Sequence, residues 1–120
     1  MTIKIRAIRE KGNIEKERVV LECDSNEDMG KYLVALTLRT GDGIVSSNLR
    51  RTLWLPDHKV DAGDLVVIYS KVSNKSIKTK NNEDGTKTTF VYWGADKPIF
   101  ESDDAGIILM RIDEWTFKNI

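Results

Sequence analysis

Apolar residues recur at every second position along most of this chain, and glycine-bearing corners interrupt the runs. That spacing places alternate side chains on one face of an extended strand, so it predicts sheets with one buried and one wet face. Thr2–Ile8 sets Ile3, Ile5 and Ala7 on one side and Lys4 and Arg6 on the other. Arg18–Cys23 groups Val19, Leu21 and Cys23, and Tyr32–Arg39 aligns Tyr32, Val34, Leu36 and Leu38. Arg50–Leu55 is a shorter strand that stops at Pro56, which has no N–H for a sheet ladder. Leu65–Ser70 (LVVIYS) is apolar on both faces and belongs in the middle of its sheet. Lys87–Gly94 and Gly106–Asp113 follow, with Glu114–Phe117 prolonging the last strand after a bend.

The corners fall where this scheme needs them. Gly12-Asn13 separates the first pair of strands, Gly41-Asp42-Gly43 closes the third, and Asp84-Gly85 sits between Lys/Thr-rich arms. Asp-Gly readily takes the positive φ angles of a tight hairpin turn, so Ile77–Lys80 and Thr86–Thr89 form a ribbon within a projecting hairpin at about 71–89. No stretch long enough for a helix carries a 3.6-residue apolar stripe. The expectation is an all-β, immunoglobulin-like two-sheet β-sandwich of about seven to eight strands, with residues 1–120 as a single domain.

Composition narrows the function classes. Lys plus Arg equals Asp plus Glu, 19 against 19, so no global field draws in nucleic acid or an anionic membrane, and any such surface must be local. The opening MTIKIRAIREKGN has no continuous apolar core of a signal peptide, and no later run approaches the roughly 20 apolar residues of a membrane span. One cysteine cannot form an internal disulfide, which reads as a reduced thiol in an intracellular, cytoplasmic protein.

The segment ECDSNEDMG concentrates carboxylates beside that cysteine, but not in a liganding pattern. Asp24, Glu27 and Asp28 with Gly30 behind them lack the alternate spacing and distal Glu of a calcium loop. Zinc needs several Cys or His ligands, and Cys23 and His58 are single examples. A second acidic corner, Glu101–Asp104, reads with the first as a solvated bend. His58 lies in a polar corner rather than beside a nucleophile, and Cys23 alternates with Val19 and Leu21 as a core residue. Gly41-Asp42-Gly43 lacks the Lys and following helix of a phosphate loop. The reading is therefore of a chain that is not an enzyme, with no metal site and no cofactor.

The order of these motifs resembles the lamin-tail domain, an immunoglobulin-like module. Val19 and Leu21, the Ser25–Asp28 loop, Gly30 with Tyr32, and the Gly41–Gly43 turn carry the first part of the likeness. Leu53–Pro56, Val60, Ala62-Gly63 and Leu65–Tyr69 carry the second. Trp93, Phe100, Asp103-Asp104 and Ile107–Met110 carry the third, so the likeness spans about residues 14–114. It implies a stand-alone, non-catalytic binding or tethering module and names no ligand. The basic insertion from Lys71 to Thr89 departs from the family pattern and inherits no role.

Simple alternation turns Leu53, Leu55, Phe90 and Tyr92 inward, whereas the resemblance buries Trp93 and leaves Trp54 as the exposed aromatic. Arg50, Arg51 and Trp54 then form a candidate protein-binding patch, since Trp and Arg are enriched in binding hot spots. The partner is an unidentified protein, with self-association through sheet edges as the simplest version. The alternative is nucleic-acid binding through Lys71, Lys75, Lys78, Lys80 and Lys87 of the basic hairpin. Against it, no aromatic platform is interleaved with those lysines in the ribbon.

Overall fold

The computed structural model describes residues 1–120 and contains eleven strands, one short 3-10 turn and no α-helix. In chain order the strands are β1 (Ile3–Arg9), β2 (Arg18–Cys23), β3 (Glu27–Asp28), β4 (Tyr32–Gly41), β5 (Ile44–Val45) and β6 (Arg50–Trp54). They continue as β7 (Lys59–Val60), β8 (Leu65–Lys71), β9 (Ile77–Asn81), β10 (Lys87–Ala95) and β11 (Ala105–Arg111). Three of them, β3, β5 and β7, are ladders of two residues each. The other eight build the two layers of an all-β sandwich.

One layer is a five-stranded sheet in the order β1-β2-β8-β10-β9. The other runs β11-β4, with β5 and β6 both paired to the far side of β4. As its two-faced apolar pattern requires, β8 is the central strand of the first sheet. Val66 and Ile68 fill the core from one face, while Val67 is covered on the other. The interior is completed by Val19, Leu21 and Cys23 from β2 and by Tyr32 and Val34 from β4. Each fully buried aliphatic side chain adds about 1.5–3 kcal/mol, so the alternation along β2, β4 and β8 is the main source of stability.

The Lys/Thr-rich hairpin is woven into the sheet. The chain leaves β8, passes the place of one strand, runs back along the edge as β9, and returns as β10 between β9 and β8. Strand β10 is therefore antiparallel to β9 and parallel to β8. Of the ribbon's second arm, Thr88 and Thr89 are buried, and only the β9 arm and the turn at 82–86 stand at the margin.

Irregularities decide which way side chains point. A bulge between Ile5 and Ala7 shifts β1 by one residue, so Ile8, not Ala7, stands opposite Val19, where it remains exposed at the end of the strand. Phe90 and Tyr92 point outward, against the alternation reading, because Val91 is the core residue of β10. Trp93 and Ala95, of the same parity as Val91, also pack against the core, and the register with β8 slips after Tyr92. The last strand ends at Arg111, and Glu114–Phe117 does not prolong it.

The crossing from β10 to β11 is fastened from inside by Glu17, a fully buried carboxylate that the alternation did not single out. It accepts hydrogen bonds from the backbone N–H groups of Gly12 (3.0 Å), Ile99 (2.8 Å) and Phe100 (3.1 Å), and from the Ser70 hydroxyl.

Candidate functional site

The acidic corner is structural in its details. Asp28 Oδ1 accepts the N–H of Gly30 at 2.8 Å and of His58 at 3.0 Å, which caps the 3-10 turn and holds the β3–β7 corner to it. Glu27 accepts the buried Tyr32 hydroxyl at 2.7 Å and Arg111 Nε at 2.9 Å. Burial works against its charge, but those bonds outweigh it and hold the carboxyl below its usual value. Asp24 pairs with Lys4, and in the second corner Asp103 pairs with Lys11 and Asp104 with Arg39. Each of these carboxylates thus has a cation, hydroxyl or backbone donor of its own.

Beside this corner lies an open groove of about 620 Å³. Strand β6 delivers Trp54 to it, and the segment after β11 delivers Trp115. The two indole rings meet edge to face, with centroids 5.0 Å apart and planes at 90°. Trp54 donates its Nε1–H to the Gly30 carbonyl at 2.7 Å, which fixes the ring although 43% of the residue is exposed. Trp115 is 66% exposed. Asp28, Asp57 and Asp113 line the groove with a single lining cation, Lys31, and Arg111 pairs with Asp113 from beside it, so the acidic character of the rim rests mainly on Asp57 and Asp28.

Of the sequence-derived patch, only Trp54 stands in this groove. Arg50 lies opposite Leu36 on β6, and Arg51 occupies the register slip between β4 and β6 with a left-handed φ of 47°. The spacing that prolongs the last strand through Glu114–Phe117 gives no sign of Trp115 in this groove, because the strand ends at Arg111. The signal of Trp115 is an aromatic residue in a segment without a regular apolar partner pattern.

The opposite face of the molecule has a different chemistry. Registers across the five-stranded sheet set Arg9, Arg18, Tyr69 and Tyr92 in one outward row. The next row carries Val20, Val67, Phe90 and Lys78, and the one beyond carries Lys4, Glu22, Leu65, Thr88 and Lys80. Tyr69 stacks on Tyr92 at 5.8 Å and on Phe90 at 6.1 Å, with Lys71 Nζ 5.1 Å from the Tyr69 ring centre. The face thus holds Lys4, Arg9, Arg18, Lys71, Lys78 and Lys80 against Glu22 alone. Lys4 and Lys71 are engaged by Asp24 and Glu15, and the other cations of the face have no ion pair.

Three of the hairpin lysines read from the sequence, Lys71, Lys78 and Lys80, belong to this face. Lys75 lies in the exposed link between β8 and β9, and Lys87 opens β10 opposite Asn81. Arg9 and Arg18, and the ring stack itself, were missed. The arginines are distant in sequence, and the inward reading of Phe90 and Tyr92 hid the aromatic component.

No protein-family model and no curated protein matches this chain. No helix of the structure is long and apolar enough to cross a membrane.

Proposed function

We propose that this chain is a non-catalytic, lamin-tail-like interaction module of the cell interior that docks a protein segment in the Trp54–Trp115 groove. The observation that carries the reading is the right-angled indole pair, rigidly seated by the Trp54–Gly30 bond yet open to solvent. Immobilised aromatic rings are the anchors on which interface energy concentrates, because little side-chain entropy remains to be lost. The acidic rim of Asp28 and Asp57 favours a segment bearing Lys or Arg, whose cation can also lie against an indole face. The single buried thiol accords with a reducing compartment.

The test is a peptide array of basic, neutral and acidic segments, followed by titration of the hits in solution. Basic hits are expected to lose about tenfold or more in affinity with Trp54→Ala and with Trp115→Ala, the scale of a hot-spot truncation. Equal binding by wild type and both variants would dispose of the groove.

A second reading, nucleic-acid binding, is favoured by a specific observation: the Tyr69–Phe90–Tyr92 stack lies between the free cations of β1–β2 and those of β9. Aromatic rings flanked by cations suit single strands, whose bases stack without sequence preference. Labelled single-stranded oligonucleotides at low salt decide it. Binding should weaken steeply with salt and with Lys78→Glu or Tyr92→Ala, and the absence of any binding at low salt removes the reading.

A further inference from the structure

The two indoles of the groove are seated on consecutive peptide groups of one short turn. The 3-10 turn Met29–Lys31 offers its Gly30 carbonyl to Trp54 Nε1–H at 2.7 Å. Its next carbonyl, Lys31, accepts the N–H of Ile112 at 2.7 Å, which brings the segment carrying Trp115 alongside. The backbone of one turn thus sets both walls, and the rings stand at 90° with centroids 5.0 Å apart. Planes at a right angle bound a corner that has one face of each ring as a wall. Each indole face carries the negative lobe of the ring quadrupole, so a cation in that corner is attracted from two sides. Asp57 stands against the same turn, since a Cβ on Gly30 would meet its carboxylate. Asp57 takes part in none of the ion pairs of the molecule, and Asp28 accepts only backbone N–H groups. With Asp113 matched by Arg111, these two carboxylates face Lys31, so the groove keeps one net negative charge and suits a single cation.

We propose that this corner is a cage for a methylated lysine, in which the quaternary ammonium of a trimethyl-lysine side chain sits between Trp54 and Trp115 with Asp57 as its counter-charge. The inference rests on the groove being a docking site for a basic segment, and it names the side chain that anchors that segment. An unmodified ammonium has three N–H donors and a tight hydration shell, and it needs acceptors when it leaves water. The walls here are indole faces with Leu55 and Pro56 beside them, which offer contact to methyl groups and no strong acceptor. Methylation removes the donors and keeps the charge, so the cation leaves water more easily and its methyl groups pack on both rings. A guanidinium is flat, and stacks on one face without filling a corner bounded by two. A choline headgroup carries the same cation. The groove of about 620 Å³, however, also takes in Asp28, Lys31 and Ile112, an extent that suits the residues flanking a lysine in a peptide.

Calorimetric titration with a panel of short basic peptides tests the cage, each made with its single lysine unmodified and trimethylated. The trimethyl form is expected to bind about tenfold more tightly than its unmodified twin, with the dimethyl form between them. Replacing trimethyl-lysine by its neutral tert-butyl isostere, which keeps the shape without the charge, should abolish the gain. Trp115→Phe should retain part of the preference and Trp115→Leu should erase it, both with an unchanged circular dichroism spectrum, because this residue is 66% exposed. Asp57→Asn should weaken the trimethyl form a few-fold. Unmodified peptides that bind with no gain on methylation overturn the cage and leave the groove a docking site for basic segments. Binding by neither form overturns both readings. A methyl preference that survives Trp115→Leu overturns the cage by placing recognition elsewhere, and choline chloride that binds as tightly as the trimethyl peptides assigns the corner to a headgroup instead.

Discussion

The carboxylate of Glu17 accepts the backbone N–H of Ile99 at 2.8 Å, tying together residues 82 apart in the chain. The same carboxylate holds Phe100, Gly12 and Ser70, so the first turn, the end of β8 and the crossing to β11 share one anion. Glu17→Gln presents an amide N–H₂ to a site built wholly of donors, and about 3 kcal/mol of stability is expected to go, the scale for breaking a buried charged network. Burial opposes the charge, but the bonds from Ser70, Gly12, Ile99 and Phe100 prevail and hold the carboxyl below its ordinary value of 4.5. A folded value below the unfolded one means stability that is present above that ordinary value and is lost as pH falls through the lower folded value. Urea unfolding of wild type and Glu17→Gln should therefore differ fully at neutral pH and converge in acid. A constant gap across that range would show that the carboxylate is not charged in the fold.

Cys23 lies in the core, and burial pushes its thiol up to about 11, with the carboxylates of Asp64, Asp24 and Glu27 adding to the effect. The thiolate is the reactive form, so the native protein should resist alkylation at neutral pH and label only when unfolded. Mass spectrometry after a timed iodoacetamide exposure, with and without urea, reads this directly. Rapid labelling of the native protein would contradict the buried, unionised thiol.

Gly30 is the point where the acidic corner and the tryptophan groove touch. A Cβ at this position would stand 2.9 Å from the Asp57 Cα, a backbone atom that cannot swing aside, and closer still to the Asp57 carboxylate. Gly30→Ala must therefore push the 55–57 corner outward and disturb the carbonyl that holds Trp54. A loss of about 1–3 kcal/mol is expected, as for other overpacked sites, with a shift in tryptophan emission. Emission and melting temperature equal to the wild type would mean that the corner adjusts freely.

Much of the fold was legible because period-two burial is a strong signal where the strand is straight. Val19, Leu21 and Cys23, or Tyr32 and Val34, could be placed from spacing alone, and all are buried. Alternation does not say which of its two sets faces the core. In β10 the aromatic set Phe90 and Tyr92 looks the better candidate, yet the smaller Val91 is inside, together with Trp93 and Ala95 of the same parity. That one parity concealed the ring stack with Tyr69. Trp115 and Glu17 were out of reach for another reason: each acquires its role from partners far away in sequence, Trp54 for the first and Ile99 for the second.

Arg51 separates a structural role from a binding one. Its left-handed φ of 47° sits where Val34 faces Leu53 but Leu36 already faces Arg50, so the extra residue of β6 is taken up there. Left-handed backbone costs an L residue about 1–2 kcal/mol, least for glycine and most for a β-branched side chain. Arg51→Gly should therefore leave the melting temperature equal or higher, and Arg51→Val should lower stability by about 1–2 kcal/mol. Basic peptides that dock on the Trp54–Trp115 groove should bind Arg51→Gly as they bind the wild type, since neither Arg50 nor Arg51 lines it. Stability rising while peptide binding falls would assign the guanidinium to the interface instead.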